Sequence, residues 1–91
     1  MRLDLFLKAS RLVLRRTLAQ EMCEAGAVLV NGMRAKSSRA VNIGDEINLR
    51  RPNRLLNVRV LAIPISRQTS RSEAPTLYEI LSDTELDDSF S

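Results

Sequence analysis

Asn31-Gly32 follows the apolar run Ala27-Val28-Leu29-Val30 and precedes Met33-Arg34-Ala35-Lys36. Two-residue hairpin turns of the favoured hand need positive φ at both central positions, and Asn-Gly meets that need at the least steric cost. The chain must therefore reverse here, with a strand on each side. Upstream, the apolar residues follow a helical period. Leu3, Phe6 and Leu7 stand at i, i+3 and i+4, one face of a helix over 3–9. Asp4 falls in its first turn, where a carboxylate suits the helix dipole. Thr17 and Gln20 have capping-box spacing, which makes Thr17 the expected N-cap of a second helix. Leu18, Met22 and Ala25 line its apolar face, with Ala19 and Cys23 beside them, and Gly26 is its expected stop.

Downstream, Ile43-Gly44-Asp45 and Arg51-Pro52-Asn53 read as turns. Between and after them Ile47 and Leu49, then Leu56, Val58 and Val60, alternate as one face of a sheet, and Pro64 closes the last strand. The expected fold is α+β, with two N-terminal helices packed on a small antiparallel sheet of about four strands. The body spans 1–64, and 65–75 form a polar linker. Residues 76–91 form a short helix and an acidic tail. Leu77, Ile80 and Leu81 predict one or two helical turns facing the body, and 82–91 are too acidic to pack.

With 91 residues there is room for one small domain and no separate catalytic one. The chain has no His, which removes the usual acid/base of neutral pH. Cys23 is the only cysteine, so neither an internal disulfide nor a cysteine-rich zinc site can form. A lone thiol and the absence of a signal-peptide run point to the cytoplasm. No apolar stretch approaches the roughly 20 residues of a membrane span. No catalytic residue, metal or cofactor is expected.

The charge is segregated. All fourteen Lys and Arg lie in 1–71 with only five acids, a block of +9, whereas 72–91 hold six acids and no base. Twelve of the fourteen bases are Arg, the residue suited to bidentate phosphate contacts. A basic body of this kind suits a polyanion. Arg15 and Arg16 stand at the start of the second helix, where a helix end already carries about half a positive charge. An arriving phosphate would offset that crowding by meeting backbone N–H groups, the Thr17 hydroxyl and two guanidinium groups together. Arg2 and Lys8 bracket the first helix and Arg11 follows it, so that Arg2, Arg11, Arg15 and Arg16 are expected to converge. Arg34 and Lys36, with Arg39, extend the basic surface past the hairpin turn, and Arg50, Arg51 and Arg54 surround the Pro52 turn on another edge. Aromatic residues are absent from these clusters, which argues against base stacking and for shape and phosphate recognition of folded RNA.

Arg2-Leu3-Asp4-x-Phe6-Leu7, Arg15-Arg16-Thr17-x-Ala19, Gly26-x-Val28-x-Val30-Asn31-Gly32 and Gly44-Asp45-Glu46 together resemble the S4 RNA-binding domain, or alpha-L fold, over about residues 1–62. The resemblance implies binding to structured RNA, ribosomal RNA above all. Leu5 departs from the Lys that many members carry, which places more weight on Arg2 and Lys8. Two groups of short, stand-alone members come closest, a ribosome-associated quality-control group and a heat-shock group. Residues 10–19 and Leu77-Tyr78-Glu79-Ile80-Leu81 look closer to the former. For that group the resemblance implies a monomer that binds large-subunit rRNA and P-site peptidyl-tRNA on split ribosomes. There it would hold the tRNA while a tailing factor extends the nascent chain with alanine. For the heat-shock group it implies general rRNA binding, in rescue of stalled large subunits or in ribosome assembly. Arg15, Arg16 and Thr17 would hold rRNA phosphates, and Arg2 and Arg11 would reach the rRNA or the tRNA backbone.

Overall fold

The computed structural model describes residues 1–65 and 69–85. Two helices, α1 (Leu3–Ala9) and α2 (Arg16–Glu24), precede an antiparallel sheet of five strands: β1 (Val28–Val30), β2 (Met33–Arg34), β3 (Glu46–Arg51), β4 (Arg54–Val60) and β5 (Tyr78–Glu85). Their order across the sheet is β2-β1-β3-β4-β5. A 3-10 turn, Ala74–Leu77, leads into β5.

The period-2 pattern fixes the register. Val28 pairs Leu49 and Val30 pairs Ile47, while Ile47 pairs Val58, so all of these point to one face. That face is buried with Val60 against Leu3, Phe6 and Leu7 of α1, Val13 of the interhelical loop, and Ala19 and Cys23 of α2. Each fully buried Leu, Ile, Val or Phe among them contributes about 1.5–3 kcal/mol. The opposite face is polar along its middle, where Asn48 donates to Asn57 and Asn57 to Ser82 across three strands.

The turns are as the sequence requires. Asn31 and Gly32 have φ of 53° and 80°, the paired positive values of a type I′ hairpin. The Asn31 side chain also accepts from the Glu46 amide and donates to Asp45 Oδ1, which ties this turn to the one at Gly44. Gly26, at φ 76°, ends α2. Its amide bonds the Cys23 carbonyl and the Ala27 amide bonds Met22, the two-bond closure of a helix by a left-handed residue. A Cβ at Gly26 would lie 3.2 Å from the Arg34 guanidinium. Gly26→Ala is therefore expected to lower stability by about 1–2 kcal/mol, mostly from the left-handed backbone, with a melting point lower by about 5–15 °C. A thermal melt checks it.

Three expectations are corrected. The first concerns the cap of α2, which is Arg15, with no side-chain hydrogen bond to the helix, rather than Thr17. Gln20 is drawn away from the reciprocal half of a capping box because its amide is taken by Asp4. The apolar face also turns by one residue: Ala19 and Cys23 are buried, while Leu18 is 44% exposed. The second concerns 76–81, which form no helix beyond the 3-10 turn that ends at Leu77. Leu77 is buried in the 3-10 turn, but Ile80 and Leu81 lie on β5, 56% and 40% exposed. Pairing with β4 wins over helical spacing, helped by the Arg54–Asp83 and Arg59–Glu79 ion pairs between the strands. The sheet thus has five strands, and Ser82 to Glu85 of the acidic stretch lie on β5; residues 86–91 lie outside the described residues. The third concerns β4, which ends at Val60, ahead of Pro64.

Candidate nucleic-acid interface

Asp4 sits on the apolar face of α1 and is fully buried. An ionised carboxylate out of water must be paired and hydrogen-bonded, and five donors converge on this one. Arg2 donates from Nε to Oδ1 at 3.2 Å and from Nη2 to Oδ2 at 3.3 Å. Arg16 Nε and Gln20 Nε2 donate to Oδ2 at 3.2 and 2.9 Å, and the Leu5 amide to Oδ1 at 2.8 Å. Burial pushes the carboxyl up, yet the bonds from Gln20, Arg16 and Arg2, with the charge of Arg2, hold it below the ordinary Asp value. Asp4 thereby fixes two guanidinium groups side by side from beneath. The Arg2 and Arg16 side chains remain 44% and 39% exposed, so their outer N–H groups face solvent.

The two helix starts differ in a way that matters for an anion. At α1 the first amides are taken: Leu3 donates to the Arg39 carbonyl, Asp4 to that of Ser37, and Leu5 to Asp4 Oδ1. At α2 no acceptor among the described residues meets the amides of Arg16, Thr17 and Leu18. These free donors, the exposed Thr17 and Arg15, and the Arg16 guanidinium lie together. Such an arrangement offers an anion charge and directed N–H groups at once. The 37–40 segment lies against the start of α1, with Arg2 bridged to Ala40. This carries the exposed Lys36 and Arg39 to the Arg2 side.

The remaining candidates are placed elsewhere. Lys8 is exposed one turn beyond Asp4 on α1. Arg34 is exposed at the hairpin, but its Nη2 donates to the Glu24 carbonyl at 2.6 Å, so it also closes the end of α2. Arg11 stands apart from the Arg2–Arg16 pair. Its backbone is left-handed at φ 61°, a conformation that costs a non-glycine residue of order 1 kcal/mol. Its Nη2 donates to the Thr69 carbonyl, and it lines a cleft with Arg51 and Arg54. Sequence reasoning missed two residues, Asp4 as the anchor and Gln20 as its partner. The available signal was an acid set among Leu3, Phe6 and Leu7 on one helical face. Cys23 is buried beside this centre, and burial, then the Asp4 charge, push its thiol up, the opposite of what a reactive thiol requires.

A family model described as S4 domain matches residues 1–47. Together with two helices on an antiparallel sheet, this places the chain in the S4 domain family. Over 88 residues it is 42% identical to the RQC P-site tRNA stabilizing factor of Streptococcus pneumoniae, covering 97% of this chain and 98% of that protein. It is 46% identical over 80 residues to the protein of the same name from Halalkalibacterium halodurans, covering 88% and 89%. Among solved structures, the trimeric Heat Shock Protein 15 of Vibrio cholerae aligns with a TM-score of 0.81 at 39% identity, covering 88% of this chain and 80% of that one.

Proposed function

We propose that this chain is a non-catalytic, cytoplasmic RNA-binding protein of ribosome-associated quality control. It binds rRNA on split large ribosomal subunits and stabilises P-site peptidyl-tRNA there while a tailing factor adds alanine to the nascent chain. The observation that carries RNA binding is the buried Asp4 holding Arg2 and Arg16 beside the unfilled amides of α2. The observation that favours quality control is near full-length similarity to proteins named for stabilising P-site tRNA. Arg2, Arg15, Arg16 and Thr17 form the centre of the phosphate contact, and Lys8, Lys36 and Arg34 extend it. The protein acts as a monomeric wedge of fixed charge, with no bond made or broken.

A heat-shock-type role, rRNA binding without need of tRNA, is the second reading, and the structural likeness to Heat Shock Protein 15 favours it. Affinity for isolated large subunits with and without P-site tRNA separates the two. Quality control requires tighter binding when tRNA is present, and equal binding would support the second reading. In either case about five neutralised phosphates give a slope of log K on log salt of about −3.5 to −4.5.

A further inference from the structure

We infer that the cleft between the α1–α2 loop and the β3–β4 hairpin is a second phosphate-binding site, built by Arg11 and Arg51 and separate from the Arg2–Arg16 centre. The cleft, about 420 Å³, is lined by Arg11, Arg51, Asn53, Arg54 and Glu85 among others. It lies past the C-terminal end of α1, whereas Asp4 is in the first turn of that helix.

The chemistry rests on how each guanidinium is held. Arg51 donates to the Leu12 carbonyl and Arg11 to the Thr69 carbonyl. Both acceptors are neutral, so each side chain is oriented without losing its charge. Arg54 and Arg59 are held differently. Arg54 pairs with Asp83 at 3.0 Å, and Arg59 bridges Glu46 and Glu79 at 3.0 and 3.1 Å. Among the described residues Arg11 and Arg51 thus make no ion pair, and Glu85 is the acid that shares the cleft with them. Among the described residues no aromatic lines it, and a phosphate fits two forked donors. The occupant is an RNA backbone phosphate, an assignment that rests on the RNA-binding reading above. Glu85, on the cleft wall, sets a limit on affinity by facing the same anion.

The test measures binding of the full chain to isolated large ribosomal subunits across a salt series, with inorganic phosphate at matched concentration as a second probe. Arg11→Gln with Arg51→Gln removes both charges and leaves an amide donor on each side chain. This variant is expected to flatten the log–log salt slope by about 1.5 with an unchanged thermal melt. Glu85→Gln is expected to tighten binding about two- to fivefold. A wild-type slope in the first variant, with no gain from the second, overturns the second site. If Arg16→Gln still weakens binding in that case, the primary interface stands. If the wild-type chain does not bind the subunits, both fall. Equal protection of Arg11 and Arg51 side-chain N–H resonances by inorganic phosphate alone would overturn RNA as the occupant.

Discussion

Arg16→Ala is expected to weaken binding to large ribosomal subunits by about ten- to a hundredfold while leaving the fold in place. A hydrogen bond to a charged group contributes about 1.5–3 kcal/mol, and each 1.4 kcal/mol is tenfold in affinity. The same change takes only one of five donors from Asp4, and Arg2, Gln20 and the Leu5 amide remain. The melting point should therefore move by only a few degrees. Arg16→Lys should recover little of the loss. Arg16 turns its Nε to Asp4, which leaves its outer nitrogens for the proposed RNA contact, whereas a single ammonium cannot face both ways with the same geometry. Filter binding beside a thermal melt checks both. Wild-type affinity in the alanine variant would remove Arg16 from the interface.

Asp4→Ala is expected to act on stability and binding together. It leaves Gln20 and two guanidinium groups without their common acceptor. Removing one partner of a fully buried ion pair costs about 3–5 kcal/mol. Here both arginines reach water, so the expected loss is about 2–3 kcal/mol, with a melting point lower by about 10–20 °C. RNA affinity should fall although Asp4 itself touches no ligand, because Arg2 and Arg16 lose the anchor that holds them side by side. Ligand-free NMR distinguishes this from unfolding, since the Arg2 and Arg16 side-chain N–H signals should lose dispersion while the β3–β4 amides keep theirs. The pH dependence has a fixed sign. The folded-state pKa of Asp4 is lowered, so its contribution is complete above the unfolded value of about 3.9 and is lost as pH falls through the lower folded value. Stability of the native chain should drop more steeply than that of Asp4→Asn below about pH 4.

The features legible in the sequence are those set by neighbours in the chain. The stripe of Leu3, Phe6 and Leu7, the Asn31-Gly32 turn and the stop at Gly26 are each decided within a few residues, and the structure shows all three. Alternation of Ile47, Leu49, Val58 and Val60 likewise announced the face that packs on the helices. What escaped is set by distant partners. Arg16 and Gln20 reach the local Arg2–Asp4 pair only once α2 has folded back along α1, so Gln20 reads as half of a capping box until Asp4 claims it. Leu77, Ile80 and Leu81 satisfy a helical spacing, and only the register with β4 reveals a strand. The same holds for the basic residues. Arg2 and Arg16 do converge at Asp4, but Arg11 adopts a left-handed backbone and joins Arg51 instead, which no local pattern of charges specifies.

Sedimentation from a cell lysate tests the central claim most directly. Tagged wild-type and Arg16→Ala chains are run through sucrose gradients, and each fraction is probed for the protein and for tRNA. The expected result is a wild-type peak with free large subunits that carry peptidyl-tRNA, and an Arg16→Ala chain shifted to the top of the gradient. A wild-type chain that remains at the top, or sediments equally with large subunits lacking tRNA, would contradict the quality-control role.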